Sequence, residues 1–262
     1  MHITFLGTGD SGGVPRPGCN CTACRLARVE GDYRRGPSSV LIHAGKTRIL
    51  IDAGLFDLGE RFPPGSLSAI VLTHFHPDHV LGLFHLRWGV GKRISVYAPP
   101  DLEGCADLYK NPGLLEFHRL APFETVVIGN LHLTPLPLIH SKLTFGYVLE
   151  GADGCRFAYL TDTAGLEPQT DEYLRCHPVD GLAIDCSFPP REESLNHNGW
   201  NQALDAIQRV KSKQSWMTHI GHTLDSWLQE NEQTIPDGVQ IARDGWIVEL
   251  LPGHIKQLSH ER

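Results

Sequence analysis

The chain has 262 residues, of which 41% are hydrophobic and 20% charged, as in an ordinary globular protein, and one large domain fits this length better than two. The formal net charge of −7 argues against a surface that lies along a nucleic acid backbone, so we expect no nucleic acid partner. No run reaches the roughly 18 apolar residues of a membrane span and no secretory signal is visible, so we expect a cytoplasmic protein with no membrane partner.

The first predicted strand covers residues 3–6 and runs into a glycine-rich turn over residues 7–13. Glycines there allow tight backbone turns, which suit a chain that passes close to a metal pocket. A phosphate-cradling loop is the alternative, but the glycine spacing matches neither the dinucleotide-binding motif nor the P-loop motif. We therefore favour the turn interpretation.

Three of the seven cysteines follow, at Cys19, Cys21 and Cys24. Thiolates at this spacing, on a loop bounded by Gly and Pro, suit a tetrahedral zinc ion that takes a fourth ligand from elsewhere, for which His222 is the candidate. The alternative is three buried or free thiols, but exposed thiols side by side would invite oxidation. The clustering favours a metal site in a reducing compartment over a disulfide framework.

The most informative segment is residues 73–79, which reads Thr-His-Phe-His-Pro-Asp-His. It follows a short apolar strand, so its polar side chains lie at the carboxyl end of that strand, where sheet proteins usually bind ligands. In an extended turn, residues two apart point the same way, so His74 and His76 can clasp one metal ion while Asp78 and His79 hold a second. The alternative is a set of surface histidines at a loop, but beside a hydrophobic strand so many converging imidazoles would be poorly paired without a metal ion.

The chain alternates predicted strands and helices. In order, we predict a hairpin over residues 39–43 and 48–52, a strand over 68–72, a helix that opens at His79, a strand over 94–97, helical segments over 99–108 and 111–117, hairpins over 124–128 with 131–138 and 145–150 with 156–160, a strand over 181–185, a helix over 201–210, a strand over 215–218, a helix over 223–230 and a strand over 246–250. This alternation, with its hairpins, fits a sandwich of two mixed sheets covered by helices on both outer faces, although periodicity alone predicts only a mixed α/β fold. We assign residues 1–251 to this single domain and residues 252–262 to a polar, loose C-terminal tail.

Three further polar residues, His140, Asp162 and His219, each follow a predicted apolar strand, as the first histidine cluster does. Taken singly, each would more often be a loop residue with its own hydrogen bonds. Their recurrence at strand ends, in a chain with 15 histidines, favours a metal-ligand role for all three.

The His-x-His-x-Asp-His pattern at residues 74–79 resembles that of the metallo-β-lactamase superfamily. Longer runs at residues 86–91, 111–115, 134–147 and 184–187 resemble the PhnP-like family of cyclic phosphodiesterases, which act in the carbon–phosphorus lyase pathway of phosphonate breakdown. The likeness extends from about residue 3 to about residue 250. The metal motif alone specifies only the superfamily.

This resemblance implies an αββα four-layer sandwich with two divalent metal ions and one structural Zn²⁺. The implied ligands are His74, His76 and His140 for one metal ion, Asp78, His79 and His219 for the other, Asp162 as a bridge, and Cys19, Cys21, Cys24 and His222 for the structural zinc. Asp52 would then hold the histidine turn rather than bind metal. For the paired site we favour Mn²⁺ over Zn²⁺, although these ligands suit either ion. The resemblance also implies a homodimer.

His197 lies outside the implied metal set. In the PhnP-like family a histidine at the matching place contacts the phosphate and assists the leaving oxygen, so we expect His197 to be catalytic, together with Asp78. The alternative is a surface loop histidine. Ser141 and Lys142 follow a ligand and are candidate substrate contacts, although a solvated lysine is equally consistent with the sequence.

The resemblance implies hydrolysis of 5-phospho-α-D-ribosyl 1,2-cyclic phosphate to ribose 1,5-bisphosphate, with a small phosphorylated sugar as the partner. Activity on 2′,3′-cyclic nucleotides is expected too, because they contain the same strained ring. One alternative is an RNA 3′-processing endonuclease, against which the acidic charge weighs. Another is a PqqB-like cofactor-biosynthesis binding protein, against which the complete ligand set weighs. A thioesterase or lactonase fits the surroundings of His197 less well.

Overall fold

The computed structural model describes residues 1–191 and 194–260. Within them the strands are β1 (His2–Gly7), β2 (Ser39–Ala44), β3 (Thr47–Ile51), β4 (Ala69–Val71), β5 (Ile94–Ala98), β6 (Leu115–Arg119), β7 (Val126–Ile128), β8 (Leu131–Pro137), β9 (Phe145–Gly151), β10 (Arg156–Leu160), β11 (Gly181–Asp185), β12 (Gln214–Thr218), β13 (Val239–Ile241), β14 (Trp246–Leu251) and β15 (His254–His260). The α-helices are α1 (Thr22–Val29), α2 (Leu58–Arg61), α3 (Pro77–Val80), α4 (Leu83–Leu86), α5 (Ala106–Lys110), α6 (Pro168–Cys176), α7 (Trp200–Val210) and α8 (His222–Glu230). Short 3₁₀ helices lie at Gly31–Tyr33 and Glu232–Thr234. No helix in these two ranges is both long and apolar enough to cross a bilayer.

The strands form two mixed sheets. One has the order β15-β14-β1-β2-β3-β4-β5-β6, and the other has the order β13-β12-β11-β10-β9-β8-β7. Strands β3 to β6 run parallel in the first sheet, and strands β10 to β13 run parallel in the second. Parallel neighbours end at the same edge of a sheet, so the loops after β3 and β4 lie together, as do those after β10, β11 and β12.

The two sheets pack face to face over a shared apolar core. Ile3, Ile42 and Val71 of the first sheet belong to the same buried cluster as Tyr147 and Trp216 of the second. Burying each such side chain contributes about 1.5–3 kcal/mol relative to leaving it exposed. This inner core therefore holds the sheets in one fixed arrangement.

Helices cover the outer face of the first sheet. Leu58 of α2, Val80 of α3, Leu83 of α4 and Leu108 of α5 join one buried cluster with strand residues such as Leu50. The helices are short, and this packing is what stabilises them, since isolated helices of this length are marginal in water.

The outer face of the second sheet is covered in the same way. Leu174 of α6 and Ala206 of α7 pack in a cluster with Leu182. Leu224 of α8 packs in another cluster with Met217. The layers are thus helix, sheet, sheet and helix, so the αββα prediction is confirmed.

The region after β5 differs from the prediction. The helical segment predicted over residues 111–117 is wrong, because β6 forms there and pairs with β5 in parallel. Gly113 lies in the turn between α5 and β6 with a φ of 58°, and a β-carbon added to it would lie 2.0 Å from the Arg87 carbonyl oxygen. The helix predicted over residues 99–108 is also too early, since α5 begins only at Ala106. Pairing with a distant strand overrides the local pattern here.

The prediction of a loose tail over residues 252–262 is wrong for its described part. Strand β15 covers His254–His260 and pairs antiparallel with β14, with Leu250 opposite Ile255. Gly253 makes the connecting turn with a φ of 75°. The remaining two residues, 261 and 262, lie outside the described residues.

Helix α6 was missed, although its amino-terminal signals are present in the sequence. Pro168 occupies the first turn, and the Glu167 carboxylate accepts hydrogen bonds from the backbone N–H groups of Gln169 and Thr170. A side-chain acceptor followed by proline is a common helix start.

Candidate metal centre

The predicted ligands lie at the ends of strands from both sheets. Residues 73–79 follow β4 in the first sheet, whereas His140, Asp162 and His219 follow β8, β10 and β12 in the second. The packing of the two sheets brings these loops to one place, and every ligand named from the sequence falls into a cluster of metal-binding atoms.

One cluster contains three imidazoles and a carboxylate. His76 Nδ1 lies 2.8 Å from His74 Nε2 and 3.0 Å from His140 Nε2. Asp162 Oδ2 lies 3.7 Å from His74 Nε2 and 3.8 Å from His140 Nε2. Four donor atoms this close together surround a single position, so these residues could hold one metal ion.

A second cluster shares Asp162 with the first. His79 Nε2 lies 3.3 Å from Asp78 Oδ2 and 3.4 Å from Asp162 Oδ2. His219 Nε2 lies 3.9 Å from Asp78 Oδ2 and 3.4 Å from Asp162 Oδ1. Because Asp162 approaches both clusters, it is placed to bridge two metal ions.

The unpaired atoms of the site fit such ions. His79 Nε2, His219 Nε2 and Asp162 Oδ1 are buried and have no hydrogen-bond partner among the described residues. Unpaired buried polar atoms are costly, and a bound cation would satisfy all three. Imidazole nitrogen and carboxylate oxygen are the donor types that Mn²⁺ and Zn²⁺ accept.

Hydrogen bonds at the far side of four of the rings set which nitrogen faces the clusters. The Nδ1 contacts are Thr73 Oγ1 at 3.0 Å for His74, Asp52 Oδ2 at 2.8 Å for His79, the Asn196 carbonyl oxygen at 2.9 Å for His140, and Ser187 Oγ at 2.9 Å for His219. In each case Nδ1 donates its proton, which leaves the Nε2 lone pair for a metal ion.

The charge states of the first cluster, which contains Asp162, suit metal binding. Burial lowers the pKa of His74, His76 and His140, so these rings are neutral near pH 7. Burial opposes ionisation of Asp162, but the charges of His219 and His79 outweigh it and hold the Asp162 pKa well below its usual range. Burial acts to lower the pKa of His219, but Asp162 and the other nearby carboxylates outweigh burial and raise this pKa to about 9. A metal ion must therefore displace a proton from the His219 ring.

Asp52 supports the histidine turn and is not among the clustered ligands. Its carboxylate accepts hydrogen bonds from the Thr73 backbone N–H at 2.8 Å and from His79 Nδ1. Its backbone has a φ of 61°, and His219 has a φ of 58°, a left-handed conformation that non-glycine residues rarely adopt. Such conformations persist where surrounding contacts over-determine them, commonly at functional sites.

A cavity of about 260 Å³ opens over the ligands. It is lined by Ser11, His76, Pro77, Asp78, His140, Ser141, Asp162, Asn196, His197 and His219. The structure therefore brings Ser141 to the cavity, whereas Lys142 is not among the described residues that line it. Ser11 comes from the glycine-rich turn after β1, which places that turn beside the candidate metal ligands.

His197 reaches this cavity from the loop before α7. Its Nδ1 lies 2.9 Å from Asp185 Oδ2, and its ring stacks on that of His219 with centroids 4.8 Å apart. Burial acts to lower the pKa of His197, but the hydrogen bond and charge of Asp185 outweigh it and raise the pKa above its usual value. Asp185 and Ser187 were not predicted as site residues. Asp185 ends β11, as other site residues end strands, so the same signal pointed to it.

The cysteines form a separate cluster with His222. His222 Nδ1 lies 3.3 Å from Cys19 Sγ and 3.5 Å from Cys21 Sγ, and Cys24 completes the group. Burial would raise the pKa of Cys21, but hydrogen bonds from Ser226 and His222 lower it to about 6, which favours the thiolate that zinc requires.

This cluster joins the first turn of α1 to the first residue of α8. Arg16 Nη1 also lies 3.2 Å from His222 Nε2. When His222 binds a metal ion through Nδ1, its Nε2 carries the proton. Nε2 and the exposed Arg16 guanidinium would then both be donors, so the guanidinium would turn away. The four donors have the number and type of a structural zinc site.

Residues 47–220 match the β-lactamase superfamily domain. The chain belongs to the β-lactamase superfamily. The two mixed sheets and their outer helices are the sandwich of its metal-dependent members, and the ligand clusters at one end of that sandwich support a metal-dependent hydrolase.

Curated relatives within the superfamily carry different names. An octanoyltransferase of Porphyromonas gingivalis is 30% identical over 94% of this chain, but this chain spans only 51% of that protein. The coenzyme PQQ synthesis protein B of Methylobacterium radiotolerans is 37% identical, over 95% of this chain and 97% of that protein. A ribonuclease Z of Picosynechococcus is 32% identical over 56% of this chain and 46% of its own length. The chain thus spans about half the length of two of these relatives.

Among solved structures, a diphosphatase from the PhnP family is similar over 98% of this chain and 97% of its own, with a TM-score of 0.80 and 28% sequence identity. The similarity covers both sheets and both helical layers.

Proposed function

We propose that the protein is a metal-dependent phosphodiesterase that opens small cyclic phosphodiesters, with 5-phospho-α-D-ribosyl 1,2-cyclic phosphate as the favoured substrate. The observation that carries this proposal is His197, which lines the cavity beside both ligand clusters while its Nδ1 is held by Asp185. Two bound divalent ions, with Mn²⁺ favoured over Zn²⁺, would generate a nucleophile from water near neutral pH and withdraw charge from the phosphoryl oxygens.

The part played by His197 follows from its contacts. With Nδ1 donating to Asp185, the ring is oriented, and its other nitrogen is available to the substrate. The Asp185 carboxylate raises the pKa of His197 above its usual value, so the His197 ring is protonated in a larger fraction of the molecules near pH 7. Such a ring can donate a proton to the alkoxide that leaves when the cyclic diester opens. Opening a strained five-membered cyclic phosphate requires little more than attack on phosphorus by the nucleophile and protonation of the leaving oxygen.

The size and charge of the site support a small substrate. A cavity of about 260 Å³ accommodates a sugar phosphate more readily than a folded RNA. Ser141 and Ser11 offer neutral hydroxyl groups at its wall. The phosphoryl charge would be met by the metal ions and His197, which is consistent with an acidic chain of net charge −7. We propose a homodimer with a structural Zn²⁺ in each protomer and with no nucleic acid or membrane partner.

Two specific observations favour other candidates. Similarity to the PhnP-family diphosphatase favours a diphosphate as substrate, because the same groups could clamp a phosphoanhydride. The 37% identity to coenzyme PQQ synthesis protein B over nearly its whole length favours a role in cofactor biosynthesis. Ribonuclease Z matches a little more than half of this chain, which gives RNA processing less support.

Metal analysis of purified protein, combined with parallel hydrolysis assays, separates these candidates. The substrates are the ribosyl cyclic phosphate, a 2′,3′-cyclic nucleotide, a nucleoside diphosphate sugar and a transfer-RNA precursor. We expect three metal equivalents per chain and the highest kcat/KM on the ribosyl cyclic phosphate. Faster cleavage of the diphosphate or of the RNA would replace the proposal with the corresponding candidate, and no hydrolysis of any substrate by fully metallated protein would favour the cofactor-biosynthesis role.

A further inference from the structure

A buried hydrogen-bond network joins the rings of His197 and His219. Asp185 Oδ2 accepts from His197 Nδ1 at 2.9 Å, and Asp185 Oδ1 lies 2.8 Å from the Ser187 hydroxyl. The Ser187 oxygen in turn lies 2.9 Å from His219 Nδ1. Asp185 is 0% exposed, and Ser187 and His219 are each 2% exposed, so solvent does not compete for the bonds between these three residues. One carboxylate therefore contacts both rings, one directly and one through a hydroxyl.

The single proton of the Ser187 hydroxyl has two acceptors within reach. The oxygen is 2.8 Å from Asp185 Oδ1 and 2.9 Å from the His219 carbonyl oxygen. A carboxylate is the stronger acceptor, so the hydroxyl donates to Asp185 and its oxygen accepts from His219 Nδ1. Once a metal ion has displaced the Nε2 proton, His219 Nε2 presents its lone pair on the side where Asp162 Oδ1 lies 3.4 Å away.

Asp185 is better suited to support ligands than to bind metal, even though one of its oxygens lies in a cluster with Asp162, His197 and His219. Its Oδ1 accepts from Ser187, and its Oδ2 accepts from both His197 and the Thr163 backbone N–H at 3.0 Å. Both oxygens are thus occupied by donors. A carboxylate used in this way fixes the orientation of neighbouring ligands.

We propose that Ser187 is a positioning residue through which Asp185 orients His219 for the second metal ion while it also orients His197. The role of His197 as proton donor rests on the proposed function, whereas the link from Asp185 through Ser187 to His219 rests on the hydrogen bonds alone. Filling of the second metal position and the orientation of His197 are consequently coupled, because both depend on one buried carboxylate.

Metal titration of the Ser187→Ala variant tests the link without any substrate. Mild chelation that leaves the structural zinc in place is followed by titration with Mn²⁺, and the bound equivalents are counted by equilibrium dialysis. Loss of a hydrogen-bonded partner of a metal ligand typically weakens metal binding by about 10–100-fold. We expect this weakening for one of the two Mn²⁺ equivalents, while the affinity for the other equivalent stays unchanged. The affinity should recover in Ser187→Thr, which keeps a hydroxyl group.

Ser215→Ala is the matched control. Ser215 is also buried, at 1% exposed, and its hydroxyl lies 2.8 Å from that of Ser212 rather than near the metal site. Both Mn²⁺ equivalents should bind to this variant as they do to the unaltered chain. Unchanged affinities in Ser187→Ala would overturn the proposal. Equal weakening of both equivalents, together with a lower melting temperature, would also overturn it, because that pattern indicates general destabilisation.

Asp185→Asn provides a second test that does not alter Ser187. It should lower the affinity for the same Mn²⁺ equivalent. This effect should be smaller in the Ser187→Ala background than in the unaltered chain, because the effects of substitutions at coupled residues are not additive. If the two substitutions lower the Mn²⁺ affinity in a fully additive way, Asp185 does not orient His219 through Ser187, and the proposal is wrong.

Steady-state kinetics on the ribosyl cyclic phosphate separate this proposal from the proposed function. At saturating Mn²⁺, Ser187→Ala should lower kcat with little change in KM. Normal metal affinity with normal hydrolysis in this variant would overturn the role of Ser187 alone. Absence of hydrolysis by the unaltered protein would overturn the phosphodiesterase proposal and leave the titration result standing.

Discussion

The Nδ1 atom of His79 lies 2.8 Å from the Oδ2 atom of Asp52, and neither side chain has any exposed surface. The same carboxylate accepts the Thr73 backbone N–H at 2.8 Å. Asp52 therefore holds the first and last residues of the metal-binding turn from one point at the end of β3. Burial raises the pKa of Asp52 although His79 acts to lower it, so this position is costly and depends on its partners.

Asp52→Ala should weaken metal binding in the paired site. The change leaves His79 Nδ1 and the Thr73 N–H without their acceptor, so the ring can rotate and its affinity for metal should fall by about 10–100-fold. Unpaired buried donors should also cost about 1–3 kcal/mol of unfolding free energy. Metal titration and denaturant unfolding measure the two effects. Asp57→Ala is the control, since Asp57 pairs with Arg61 at the surface, where such pairs contribute about 0–1 kcal/mol.

Asp162→Ala should remove the bridge between the two ligand clusters. We expect loss of metal from the paired site and loss of diesterase activity, because Asp162 is the ligand that approaches both clusters. The structural zinc should remain, since its ligands lie in a separate cluster. Elemental analysis gives both metal contents. Normal turnover at unchanged metal content would contradict the assignment of a bridged pair.

Cys21→Ser and His222→Ala should each release the structural zinc and destabilise the fold by several kcal/mol. A structural zinc site contributes its binding free energy, about 10–16 kcal/mol in isolated zinc-finger peptides, to the folded state, and partial loss is still substantial. Here the site joins α1 to α8. Zinc content and melting temperature measure the outcome.

Cys176→Ser is the matched control for this site, because Cys176 is exposed and is not in the cluster. It should retain zinc and melt as the unaltered protein does. If Cys21→Ser and His222→Ala behave like this control, the clustered cysteines are ordinary thiols.

His197→Ala should preserve metal content yet reduce turnover. A general acid typically accelerates a reaction by about 10²–10⁴-fold, and the loss should be largest for the ribosyl cyclic phosphate, whose alkoxide leaving group needs a proton. The loss should be smaller for bis(p-nitrophenyl) phosphate, since nitrophenolate leaves without one. Steady-state rates on both substrates decide the matter. Equal losses would indicate phosphate positioning instead, and no loss with full metal content would show that His197 takes no part.

Short-range sequence patterns were enough to mark the histidines and Asp78 of residues 73–79 as candidate metal ligands, whereas the later candidates rested on the resemblance and on their place after apolar strands. Residue type and spacing within residues 73–79 define which side chains can meet at one ion, because a strand followed by a turn leaves few local conformations. The same holds for the cysteines of residues 19–24. Strands with strong apolar patterns, such as β1 and β11, were also predicted near their observed bounds.

Apart from Asp52, which the resemblance implied, the groups that support those ligands were decided only by the tertiary structure. Ser187 and His219 are 32 residues apart, and His140 and Asn196 are 56 residues apart, yet each pair is hydrogen-bonded. No local pattern records such contacts, because they arise from the packing of one loop against another. Strands β6 and β15 were missed for the same reason. Each lies at the edge of its sheet and is stabilised by hydrogen bonds to a neighbouring strand. The sequence of an edge strand shows its turn residues and polar side chains, but it does not show which strand it pairs with.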